Sequence, residues 1–120
     1  MSKKQGCAAE TLVAQSLVKD NFTILERNYT IRGGEIDLIA LKNDLIIFVE
    51  VKQRTTYYSD MSELITTNKQ KKIINTAKQF LSKHNYDDKI CRFDVALLEG
   101  PLNNPLVTYI AHAFSEADSL

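Results

Sequence analysis

The sequence predicts an α/β fold: a mixed central β-sheet of about five strands flanked by helices, in the order α-β-β-β-α-β-β. Three observations carry this. Two segments, 4–19 and 68–83, place apolar residues at helical spacing. Five others alternate or run apolar in the manner of strands. The second helix falls between the third and fourth strands, a long crossover of the kind that parallel pairing requires.

In the first helix, Ala9, Leu12, Val13, Ser16 and Leu17 share one stripe. Glu10 sits at its edge, either as a solvated charge or leaning over the sheet. Asp20-Asn21 ends the helix, and residues 22–31 make the first strand, with Phe22 and Ile24 facing in. Gly33-Gly34 supplies the backbone freedom for a turn. The second strand runs over 35–41, Lys42-Asn43-Asp44 turns, and the third strand covers 45–52. Its run of Leu45, Ile46, Ile47, Phe48, Val49 and Val51 suits a strand buried on both faces. Residues 55–67 lack a sustained period and read as a loop, with a helical turn near Glu63–Ile65. The second helix turns Ile73, Ile74, Ala77, Phe80 and Leu81 to the core, and Thr67 with Gln70 fits a capping box. Strands over 90–98 and 106–114 complete the chain, with ends near 1–4 and 115–120 loosely attached.

The chain of 120 residues makes one domain with one core. Its composition, 44% hydrophobic and 25% charged, is that of an ordinary globular protein. Net charge is zero, which counts against a strongly electrostatic DNA binder but leaves room for a basic rim around an acidic centre. Cys7 and Cys91 have neither metal-ligand spacing nor a disulfide pattern, which points to a reducing compartment. No apolar run reaches the length of a membrane span, so no membrane partner and a cytoplasmic location are expected.

Glu50 interrupts the apolar third strand, and a charge buried there needs a partner. A tight turn centred on Asn43-Asp44 pairs Lys42 with Leu45. Counting outward, it sets Asp37 across from Glu50 and Glu35 across from Lys52. Directly opposed side chains share a face, with Cβ atoms roughly 5 Å apart. Two carboxylates that close must share a proton or a cation, and a hard ion such as Mg²⁺ takes oxygen ligands. Lys52 leaves the same face two residues on. An acidic pair, a lysine and a metal are the equipment of phosphodiester hydrolysis.

Asp37 followed by Glu50-Val51-Lys52 resembles the split Asp…Glu-x-Lys motif of the restriction-endonuclease-like nucleases. More narrowly, the chain resembles the small bacterial UPF0102, or YraN-like, family. That likeness rests on Gly6 with Ala9-Glu10, Ile24–Asn28, Gly33–Ala40, and Phe48–Lys52 with Arg54. It extends to Lys69-Gln70, Arg92–Val95 and Ala113-Phe114, and so spans about 6–114. One departure is Ile36, where many such nucleases carry proline. The resemblance implies a restriction-endonuclease-like core and a Mg²⁺- or Mn²⁺-dependent endonuclease acting on DNA, related to Holliday-junction resolvases and working as a homodimer.

On that reading Asp37 and Glu50 hold the metal with the Val51 carbonyl, Lys52 orients the attacking hydroxide, and Glu10 completes the acidic ring. Glu35 either pairs with Lys52 or joins the chemistry. Arg54 and Lys69 reach phosphates, and Tyr57 with Tyr58 stacks on bases or belongs to a plain surface loop. Gln70 either caps its helix or projects toward the metal. Asp94 is a further ligand or pairs with Arg92. The alternative is a nuclease-fold module that binds nucleic acid or protein without cutting.

Overall fold

A computed structural model describes residues 3–54 and 64–116. Within them lie α1 (Lys3–Lys19), β1 (Thr23–Ile31), β2 (Gly34–Lys42), β3 (Leu45–Arg54), α2 (Thr67–Lys83), β4 (Ile90–Glu99) and β5 (Leu106–Phe114). This is the expected order. The strands lie in one sheet in the sequence β1-β2-β3-β4-β5. β1, β2 and β3 form an antiparallel meander, β3 pairs with β4 in parallel, and β4 with β5 antiparallel. The helical crossover through α2 is what makes the one parallel pairing possible.

Helices cover both faces, so β3 is apolar on each side. On the α1 face, Ala9, Val13 and Leu17 pack with Leu38, Ile47 and Val49. On the α2 face, Ile73, Ile74, Ala77 and Phe80 pack with Ile39, Ile46 and Phe48. Phe80 stands edge-on to both Tyr29 and Phe48, a geometry that matches positive ring edges to negative ring faces. The β2–β3 turn uses Asn43 at φ 56°, a conformation asparagine tolerates better than most residues.

Most boundaries fall within a residue of expectation, and two of the differences have a visible cause. Phe22 precedes β1 and is buried on the α1 side, its amide bonded to the Leu17 carbonyl at the helix end. β3 runs two residues beyond Lys52, because its parallel ladder with β4 continues through Arg54 opposite Glu99. The capping box is corrected too. The N-cap of α2 is Thr66, whose hydroxyl accepts the Lys69 N–H at 3.2 Å, so the residue three positions on is a lysine.

Candidate active site at the parting of β2 and β3

The β2–β3 ladder has the register expected from the turn, from Lys42–Leu45 to Leu38–Val49. The next position would set Asp37 against Glu50, and there the ladder ends. Asp37 Oδ2 instead accepts the Val51 N–H at 2.8 Å, so a side chain takes the place of a strand carbonyl. β2 goes on pairing with β1 as far as Gly34, so only its contact with β3 is lost.

The neighbouring strand is irregular at the same level. Asn28, at φ 53°, falls between the pairs Arg27–Leu38 and Tyr29–Ile36, opposite Asp37. Leu38 belongs to the α1 side of the core, and Ile36, two residues away, to the α2 side. Regular alternation would put both on one face, so the β1–β2 ribbon turns over at Asp37. Its tip leans on α2, where a Cβ added to Gly34 would lie 2.0 Å from Thr76 Oγ1. Gly34 is therefore needed for close approach, while Gly33, at φ 93°, makes the turn.

Around the gap the side chains converge. Glu50 is buried, at 7% exposure, and its Oε1 lies 3.0 Å from Lys69 Nζ. Burial, and after it the Glu50 charge, push the Asp37 carboxyl up to about 7 from its usual 3.8. The Glu50 charge thus acts on Asp37 across the gap, although the ladder no longer pairs the two residues. Lys52 is shifted down, by burial first and then by the Lys69 charge, with Glu50 and Asp37 opposing. For Lys69 burial works in the same downward direction, but Glu50 and then Asp37 outweigh it and the shift is upward.

Glu10 is not a solvated helix charge. It is 7% exposed and its pKa is raised, chiefly by burial and next by Asp37, while an Asn28 side-chain hydrogen bond opposes. Its Oε1 has no hydrogen-bond partner among the described residues. The face-to-face setting of Glu35 and Lys52 does not form, because the ladder stops before reaching them. Glu35 is exposed, pairs with Thr30 across β1, and adds its charge to those acting on Asp37 and Glu10.

The remaining residues fall in different surroundings. The Gln70 amide donates to the Ile65 carbonyl at 3.1 Å, tying down the approach to α2. Arg54 is 8% exposed at its side chain, with Nε 3.5 Å from Glu99 Oε2. Tyr57 and Tyr58 lie outside the described residues, as does most of the loop expected over 55–67. Asp94 is sealed at 0% exposure, on the α1 side of the sheet. It accepts two bonds from Arg92, at 2.8 and 2.9 Å, one from the Tyr109 hydroxyl and one from the His112 N–H. The pairing with Arg92 is therefore the correct alternative, and Asp94 fills a bulge between β4 and β5.

A cleft of about 400 Å³ opens beside the acids, lined among others by Glu35, Asp37, Glu50, Asn68, Lys69 and Lys72. No three Asp, Glu, His or Cys side chains among the described residues are grouped closely enough to encircle an ion by themselves. Two features here escaped sequence reasoning. The ion pair from Lys69 to Glu50 spans two elements that no local pattern connects. The turnover at Asn28 had a weak signal, an asparagine within an otherwise strand-like run.

Fold and site define an α/β protein with a mixed five-stranded sheet and an acid–lysine cluster where its second and third strands part. The chain belongs to UPF0102, described as an uncharacterised protein family, whose profile matches residues 9–98. It is similar to a UPF0102 protein of Nitrosomonas europaea, 39% identical over 114 residues that cover 94% of this chain and 95% of that one. A Lachnoclostridium phytofermentans relative is 43% identical over 101 residues, covering 82% and 86%. One from Treponema pallidum is 38% identical over 120 residues, covering 96% and 95%. No helix among the described residues is long and apolar enough to cross a membrane.

Proposed function

We propose that this protein is a divalent-metal-dependent endonuclease that hydrolyses DNA phosphodiester bonds, at branched or otherwise distorted structures. The observation that carries the reading is the convergence of Asp37 and Glu50 with two lysines beside an open cleft.

The residues fit a hard cation. Burial, and after it the Glu50 charge, penalises the ionised Asp37 carboxylate, and a hard cation bound there would offset that cost. Two carboxylates and the Val51 carbonyl would hold Mg²⁺ or Mn²⁺ in the manner of ions that keep several waters. Such an ion, when bound, acidifies a coordinated water and offsets charge on the phosphate. Lys52 orients the attacking oxygen and balances charge developing on the phosphorus-bound oxygens. Glu10 adds an outer carboxylate, and Lys69, which borders the cleft, would reach the DNA backbone. Such a protein would work in the cytoplasm, as a homodimer that cuts two strands symmetrically.

A second reading, a nuclease-fold module that binds nucleic acid or protein without cutting, is favoured by the zero net charge and the absence of a third grouped ligand among the described residues. A cleavage panel separates the two. Linear, nicked, flapped and four-way DNA would be incubated with Mg²⁺ or Mn²⁺ and with native or Lys52→Ala protein. Metal-dependent cutting that drops by about a hundredfold or more in the variant is expected. Cutting that survives the substitution undiminished refutes the assignment. Retention of DNA without scission would leave the binding module.

A further inference from the structure

We propose that Lys69 is the protein's own stand-in for a divalent cation: its ammonium occupies the cation seat at Glu50 in the metal-free chain and must swing aside for an ion to bind. The inference rests on the metal-dependent reading above, and adds that the Lys69–Glu50 ion pair and a bound ion exclude one another.

Contact distance is the first reason. Lys69 Nζ lies 3.0 Å from Glu50 Oε1, and the carboxylate is 7% exposed. A metal ion bound to that oxygen would sit at about 2.0–2.6 Å, in the space between carboxylate and ammonium. Two cations there would also repel each other. Both Lys69 and Lys52 interact with Glu50 and Asp37, but Lys69 is the natural occupant because its ammonium is the one at contact distance from Glu50. Lys52, nearer in sequence, forms no carboxylate ion pair among the described residues.

The second reason is that Lys69 can leave without disturbing the fold. Its backbone is fixed in the first turn of α2, where its N–H donates to Thr66 Oγ1. Its side chain is 44% exposed and borders the cleft with Asn68 and Lys72. The swing therefore needs only rotations along a flexible four-carbon stem. It carries the ammonium from the acids into the space where a phosphodiester would lie. One side chain would then offset the Glu50 charge when no ion is bound and, once displaced, hold the backbone of the DNA. Lys69 is thus a positioning residue that couples ion binding to substrate binding.

The test measures Mn²⁺ binding to the full chain without DNA, by the loss of the free-ion paramagnetic resonance signal. Native protein is compared with Lys69→Met, and with Lys72→Met, which removes a charge from the same cleft but not from the ion pair. Removing a competing occupant raises apparent affinity by the fraction of sites it had blocked. Lys69→Met should therefore bind Mn²⁺ about tenfold more tightly, and Lys72→Met within about twofold of native. The rise in melting temperature on adding Mn²⁺ should also be larger for Lys69→Met. Lys69→Gln serves the same purpose if the Met variant melts too early. Unchanged or weaker binding by Lys69→Met, or an equal gain in Lys72→Met, overturns the stand-in while leaving the metal site standing. Binding by neither native nor variant protein overturns the metal site and the stand-in together.

Discussion

Lys69 Nζ and Glu50 Oε1 lie 3.0 Å apart. An ammonium from the start of α2 thus neutralises a carboxylate in the central strand, although 19 positions (69 − 50) separate them in the chain. The acid side of this cluster is equally constrained. Asp37 both faces the site and accepts a backbone hydrogen bond, so its chemical and structural roles can be separated by substitution.

Asp37→Asn keeps an oxygen for the Val51 N–H but removes the charge. Metal-dependent cleavage should fall at least about a hundredfold, with little change in the melting temperature taken at about pH 5, where native Asp37 still holds its proton. Asp37→Ala should lose the same activity and in addition about 1–3 kcal/mol of stability, because a strand N–H loses its acceptor. Denaturation curves of the two variants, read beside their cleavage rates, check the distinction. Equal stability of the two would mean that the hydrogen bond contributes nothing.

The pH dependence of stability follows from the same residue. Folded protein holds the Asp37 proton until the pH passes about 7, whereas the usual value is 3.8. Across that window the folded state binds more protons than the unfolded one, so the stability of the metal-free protein falls as pH rises through it. Melts at about pH 5 and about pH 8 should show the decline, and Asp37→Asn should flatten it. Because a cation competes with the same proton, Mn²⁺ affinity should rise with pH over that range. A pH-independent affinity would place the ion elsewhere.

Gly34→Ala tests the docking of the β1–β2 tip. The new Cβ would meet Thr76 Oγ1 at 2.0 Å and the Lys72 carbonyl at 3.1 Å. A loss of about 1–3 kcal/mol is expected from overpacking. Thr76→Ala removes the nearer obstacle, so the double variant should recover part of that loss. Chemical denaturation of the single and double variants provides the measurement. Additive losses would show that the tip does not rest on Thr76.

Asp94 gives the contrasting case, a buried acid with a structural task. Asp94→Ala leaves Arg92, the Tyr109 hydroxyl and the His112 N–H without their shared acceptor. A loss of about 3–5 kcal/mol is expected. Mn²⁺ affinity of whatever remains folded should match native, since this cluster lies on the other face of the sheet. A variant that melts normally yet loses Mn²⁺ binding would reverse the assignment.

The order of elements was legible because each segment carries its own period. β3 reads as a doubly buried strand from Leu45 to Val51, and α2 as an amphipathic helix from Ile73 to Leu81. The β2–β3 register was legible for a different reason: a tight turn at Asn43-Asp44 admits few pairings. Counting from the turn failed beyond Leu38, where the Asp37 side chain takes the Val51 N–H and the ladder ends, opposite the positive φ of Asn28 outside the hairpin. Hence Asp37 was found beside Glu50, but Glu35 was wrongly set against Lys52. Long-range partners such as Glu99 for Arg54 and Lys69 for Glu50 depend on the parallel crossover and leave no local trace. Thr66 and Thr67 offer the same hydroxyl, so sequence alone could not choose the cap.

The parallel pairing of β3 with β4 has a kinetic consequence. The meander of β1, β2 and β3 is joined by short turns, whereas Leu45 meets Ile90 only after α2 has been threaded between them. Contacts of such long sequence separation form late, once the entropy of closing the intervening loop has been met. The acids on β2 and β3 are therefore brought together by the early meander, and Lys69 reaches them only when α2 docks. Until that moment the meander carries its two acids without the ammonium that pairs with Glu50, and an incompletely folded copy lacks part of the cluster.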